Sequence, residues 1–233
     1  MTIPDRPPLW TLLGEGLSGV EAVRLALRWP RLAAAPRGQG TVLLCPGWQA
    51  PEASMLPLEL FLKQLGYDAR PWGIGRNDGD VPELIPRLAD RVAEESARAG
   101  GAVALVGWSL GGYLAREAAR EMPEGVRRVV TLGSPVVGGP KYTRVAPFYR
   151  LQGADLDEIE ATVAERARQP LAVPVHALYS RLDGIVSWQA CVDHGEPLTE
   201  HVEVRTTHMG FGVSPDAFEV VADRLARDAT PTA

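Results

Sequence analysis

The stretch Gly107-Trp108-Ser109-Leu110-Gly111 constrains this chain more than any other. It follows an apolar run, Ala102–Val106, that reads as a buried strand. It precedes a segment from Leu110 to Met122 that reads as a helix. A serine squeezed between a strand and a helix sits on a very sharp turn, in strained backbone geometry. A side chain two residues to either side would collide with that turn, which accounts for Gly107 and Gly111. Gly112, Ala115, Ala118 and Ala119 keep the helix slim, so it can pack close to a sheet. The turn lifts the Ser109 hydroxyl into the open and aims a helix N-terminus at whatever approaches it.

The rest of the chain supplies that sheet. Thr41–Cys45 is a short apolar strand ending at Pro46-Gly47-Trp48. Further strands are predicted over 67–72, 126–132, 173–179 and 201–205. Between them lie helical patterns. Leu58, Phe61, Leu62 and Leu65 share one face, with Gly66 as the stop. Asp80 and Glu83 can cap a helix whose inner side is Val81, Leu84, Ile85, Leu88 and Val92, with Pro86 either bending it or setting off its first turn. Asp155 and Glu158 can cap a helix carrying Leu156, Ile159 and Val163. Ser214-Pro215 opens a last helix with Phe218, Val221, Ala222 and Leu225 inward. Strands alternating with helices from residue 41 onward predict a mainly parallel sheet of about six strands, with helices on both faces. Residues 136–153 lose periodicity, and about 136–170 forms the one long insertion, in the position of a lid. The 233 residues suit a single domain over 1–233.

Ahead of the first strand, residues 1–8 are proline-rich and read as loose. Leu9–Leu17 is apolar but broken by Gly14 and Gly16. Ser18-Gly19-Val20-Glu21 has the form of a capping box, and Val20, Val23 and Leu27 line one side of the short helix it opens, ending near Trp29-Pro30. This segment reads either as a cover over the domain or as a helix associating weakly with a lipid surface. The cover is preferred, because the polar side is mixed in charge.

Composition narrows the classes. A net charge of −5 with no basic run offers nothing to nucleic acid or an anionic membrane. Cys45 and Cys191 make neither a disulfide framework nor a metal site and read as buried thiols. The N-terminus lacks the basic opening of a signal peptide, and no apolar run is long enough to span a bilayer, so the expected setting is cytoplasmic.

A serine hydroxyl becomes a competent nucleophile when a base takes its proton, usually a histidine oriented by a carboxylate. In the strand-turn-helix version, the three follow in the order serine, acid, histidine, each beyond a strand. Ser109, Asp183 and His208 fit that order, and their loops open on one edge of a parallel sheet. Asp183-Gly184 is also a good turn pair, which is compatible with the role. His176 lies inside a strand and reads as a sheet histidine, while His194 and His201 read as solvated. Asp193 is the weaker acid candidate. An oxyanion formed by attack on a carbonyl needs two donors in place. These are assigned to the backbone N–H groups of Leu110 and Trp48, and Trp48 can equally be a hydrophobic plug. Asn77 reads either as a support of that loop or as part of a turn, Arg76–Gly79, and the turn is preferred.

On Pro46-Gly47-Trp48, Gly107-Trp108-Ser109-Leu110-Gly111, Asp183-Gly184 and His208, the chain over about residues 41–228 resembles an α/β-hydrolase of the esterase/lipase type. Leu65-Gly66-Tyr67 and Trp72–Asn77 are similar to a subgroup of bacterial lipase-like hydrolases. The resemblance implies the α/β-hydrolase fold, Ser109, Asp183 and His208 as a triad, Trp48 and Leu110 as the oxyanion hole, and 136–170 as a cap. It departs at the oxyanion turn, where many relatives have His-Gly and this chain has Pro46-Gly47. The expected activity is cofactor-independent cleavage of a small-molecule or lipid ester. Acyl transfer and thioester cleavage use the same groups, and a non-catalytic binding protein on this fold is the reading from another class.

Overall fold

The computed structural model describes residues 6–227. Of the proline-rich lead, residues 1–5 lie outside the described residues. Six strands form one parallel sheet: β1 (Thr41–Cys45), β2 (Asp68–Pro71), β3 (Val103–Trp108), β4 (Val126–Leu132), β5 (Val175–Tyr179) and β6 (Thr199–Glu203). Their spatial order is β2-β1-β3-β4-β5-β6, with β1 against β3 through Val42↔Ala104 to Cys45↔Gly107. β1 and β3 are buried along their whole length, and nearly all apolar, because both faces are covered. Along β1, Val42 and Leu44 enter one apolar layer and Leu43 and Cys45 the other.

The helices in chain order are α1 (Leu9–Gly14), α2 (Ser18–Leu32), α3 (Leu56–Gln64), α4 (Val81–Ala99), α5 (Leu110–Glu121), α6 (Ala146–Leu151), α7 (Leu156–Arg166) and α8 (Pro215–Ala226). One layer joins α2, α3 and α8, with Phe61 stacked on Phe218 at 5.3 Å. The other joins α4, α5 and Val163 of α7. Three caps form at the expected residues. Asp80 accepts from the Glu83 N–H, Asp155 from those of Asp157 and Glu158, and Ser214 from that of Ala217. Pro86 sits inside α4 without interrupting it.

The N-terminal segment departs from the capping-box reading. Ser18 makes no side-chain cap, since a 3₁₀ turn over Glu15–Leu17 delivers the chain to it already helical, at φ −55° and ψ −30°. A capping serine needs an extended backbone that this entry does not allow. Glu21 pairs with Arg24 instead, at 2.7 Å. The helix runs on through Pro30 to Leu32. It covers the domain with Leu25 and Leu32, while Val20, Val23 and Leu27 face outward. Arg24 and Arg28 turn toward α8 and pair with Asp216 and Glu219. Among the described residues, no helix is long and apolar enough to cross a membrane.

Candidate active site

The turn at Ser109 takes φ 53° and ψ −124°, a region an L-residue enters only under strain. Close packing holds it there. A Cβ on Gly107 would land on the backbone of Gly111 and Gly112, and one on Gly111 would land on the carbonyl oxygens of Cys45 and Pro46. Helix α5 thus rests on the ends of β1 and β3 with no side chain between. Ser109 is half-buried at the floor of a cleft, and the Leu110 N–H is the first of α5, without an intrahelical acceptor.

Asp183 and His208 come together at the same sheet edge. Asp183 follows β5, and its Oδ1 accepts the Ile185 and Val186 N–H groups at 2.9 and 2.7 Å. That leaves Oδ2 for His208 Nδ1, at 2.7 Å. Both residues are buried. The Ser180 hydroxyl donates to the Thr206 carbonyl, joining the two loops at their roots. Strand β6 ends at Glu203 rather than at 205, so His208 stands on a longer loop than the sequence suggests. Trp108, next to the serine, donates through Nε1 to the His208 carbonyl at 3.1 Å. Burial alone would lower the His208 pKa, but the charge and hydrogen bond of Asp183, joined by the charge of Glu15, raise it above an ordinary imidazole's.

The loop after β1 faces Ser109 from the other side. A Cβ on Gly47 would lie 3.3 Å from the Ser109 Cβ. Trp48 packs on Tyr149 of α6 at 5.0 Å. Gln49 takes φ 57°, and it and Ser109 are the only non-glycine residues with positive φ among the described residues. The loop is held by Asn77, which is fully buried. Its Nδ2 donates to the Pro46 carbonyl at 2.8 Å, and its backbone exchanges hydrogen bonds with Gln49 and Ala50. The preferred turn reading of Asn77 is therefore incomplete. Its Oδ1 does accept from the Gly79 N–H, but its amide also clamps the loop that carries Trp48. The signal was an asparagine beyond an edge strand, indistinguishable in one dimension from any turn asparagine.

The remaining candidates have other partners. Asp193 pairs with buried Arg116 of α5 at 2.9 Å. His176 pairs with Glu200. His201 is not simply solvated: it lies within β6, half-buried, and its Nε2 accepts the Asp193 N–H. No cluster of three or more metal-ligating side chains occurs among the described residues.

The cleft encloses about 1060 Å³. Ser109, Leu110, Trp48, His208 and Met209 line its floor and rim. The β4–β5 connection, with α6 and α7, supplies a largely apolar wall through Val145, Tyr149 and Ile159.

The sequence profile of the alpha/beta hydrolase family matches residues 42–231. The chain belongs to that family. No curated protein matches this chain significantly in sequence. Its fold is similar to an alpha/beta superfamily hydrolase from Oenococcus oeni, with a TM-score of 0.60 at 14% identity over 84% of this chain and 94% of that one. It is similar to a thioesterase domain from the curacin biosynthetic pathway, at 0.55 and 14% over 84% and 92%. It is also similar to Aspergillus fumigatus lipase B, at 0.54 and 18%, covering 82% of this chain and 53% of that one, so it spans about half of the lipase. At these identities the likeness is one of fold.

Replacing Asn77 with alanine leaves the buried Pro46 carbonyl without its donor. The expected cost is about 1–3 kcal/mol in urea unfolding.

Proposed function

We propose that this hydrolase cleaves a carboxylic ester through an acyl-enzyme on Ser109. The carrying observation is the His208–Asp183 pair. With Nδ1 engaged at 2.7 Å by a buried carboxylate, Nε2 is the ring nitrogen left for the cleft that His208 shares with Ser109. Ser109 Oγ attacks the ester carbonyl and passes its proton to Nε2. Asp183 fixes the tautomer and stabilises the imidazolium. The oxyanion takes hydrogen bonds from the N–H groups of Leu110 and Trp48. Collapse expels the alcohol, which recovers the proton from His208. Water then repeats the sequence and releases the acid. The wall of Tyr149, Val145 and Ile159 suits an apolar acyl group, and residues 136–170 serve as its cap. Acyl transfer and thioester cleavage differ only in the acceptor or the leaving group.

The outward side of the N-terminal segment supplies a partner surface within this reading. Arg24 and Arg28 of α2 are engaged with α8, so its outward side shows Val20, Val23 and Leu27, joined by Leu13 and Leu17 and followed by exposed Arg31 in the last turn. We assign this face weak association with a lipid surface.

Ser109→Ala is expected to lower kcat on p-nitrophenyl esters by roughly ten-thousandfold or more. Unchanged turnover, or no labelling of wild-type Ser109 by a fluorophosphonate, would overturn the reading in favour of a binding protein. Because neutral His208 is the base and its pKa is raised, kcat/KM should fall with decreasing pH around a midpoint above 6.5, read from a pH–rate profile. Phosphatidylcholine vesicles should carry part of the protein into the pellet. Leu13→Ser with Leu27→Ser should return it to the supernatant, and equal pelleting of both forms would dismiss the lipid assignment.

A further inference from the structure

Glu15 has a place in the site that its position in the chain does not suggest. It lies in the 3₁₀ turn between α1 and α2, ahead of residues 42–231 that match the family. Its Oε1 accepts the N–H of Gly184 at 2.7 Å and that of His208 at 2.9 Å. Its Oε2 accepts the N–H of Met209 at 2.8 Å. Gly184 directly follows Asp183, and Met209 directly follows His208. One carboxylate therefore joins the backbone of the acid's loop to that of the base's loop. Three charge-assisted hydrogen bonds on one side chain make a stiff joint. The approach is close: a Cβ on Gly184 would come within 2.6 Å of the Thr11 carbonyl oxygen. The N-terminal segment is thereby seated against the triad.

We propose that Glu15 is a positioning residue for the reaction. It sets the separation of the Asp183 and His208 loops and so the orientation of the imidazole toward Ser109. This rests on the reading of Ser109, Asp183 and His208 as the catalytic triad. Glu15 does not touch the reacting atoms. It acts through the backbone of the two residues that do, and a small misplacement of a catalytic group costs rate steeply. It also adds a second negative charge beside His208. The charged groups facing that imidazole are Asp183 and Glu15; the ring neighbours Trp108 and Phe211 are neutral. The thiol of Cys191, near Asp183, is pushed up by burial and stays neutral.

The test uses the full chain and Glu15→Gln, with kcat and KM measured across pH on a p-nitrophenyl ester and fluorophosphonate labelling followed in parallel. Glutamine keeps the size but removes the charge and puts an NH₂ where one acceptor was. The expected result is a kcat lower by roughly ten- to a hundredfold, with KM nearly unchanged. The acid limb of the profile moves to lower pH, because the imidazolium loses a stabilising charge. Glu15→Asp keeps the charge on a shorter arm. It should leave the acid limb at the wild-type position while kcat still falls, and it carries the test if Glu15→Gln does not fold. Wild-type kcat and an unmoved limb in Glu15→Gln, or wild-type kcat in Glu15→Asp, overturns the proposal alone. A wild-type chain that fluorophosphonate does not label overturns the triad reading beneath it.

Discussion

The close approach of α5 to the end of the sheet is the constraint on which the site depends. At Gly107 and Gly111 the neighbours are backbone atoms, which cannot rotate away as a flexible side chain could. Only hydrogen fits there. Because the helix can come so near, the chain must reverse within one residue, and Ser109 accepts a φ of 53° to do it. Such a conformation costs of order 1–3 kcal/mol and persists only where its surroundings over-determine it. Here a fully buried strand and a helix buried along nearly its whole length provide that support. The strain stands the hydroxyl at the cleft floor and leaves the first N–H of the helix beside it.

The second constraint is the placement of loops from distant parts of the chain. A parallel sheet brings the ends of β1, β3, β5 and β6 to one edge but does not set the loops' relative positions. Side chains do that. Asp183 spends one oxygen on its own turn and the other on His208. Trp108 fixes the His208 carbonyl, Ser180 ties the roots of the two loops, and Asn77 clamps the turn that carries Trp48. Behind α5, Arg116 and Arg120 pair with Asp193 and Glu196, which anchors the approach to β6 away from the cleft. Most of the polar groups holding the site are buried, where a hydrogen bond left unmade is costly.

Which parts of this were legible in one dimension follows from how local their causes are. Strands covered on both faces carry short apolar runs, Val42–Cys45 in β1 and Val129-Val130 with Leu132 in β4, and both strands fall on their expected residues. Caps whose acceptor and donor lie three residues apart are visible at Asp80, Asp155 and Ser214. The capping box at Ser18 failed for the same reason in reverse: the pattern was present, but the preceding turn had already made the backbone helical. Asn77 and His201 were misjudged because their partners, the Pro46 carbonyl and the Asp193 N–H, belong to other elements. No motif or periodicity singles out Glu15, because its three donors lie about 170 to 190 residues away.

By itself, the order of residues determined the alternation of strand and helix and the glycine-framed serine, since each is written in neighbours or in periodicity. Tertiary structure alone decided which charged side chains of α5 are buried, which side of α2 faces outward, and which groups hold the loops at the sheet edge. Those outcomes depend on hydrogen bonds and ion pairs between segments far apart in the chain, whose partners exist only once the sheet has assembled and brought them within reach.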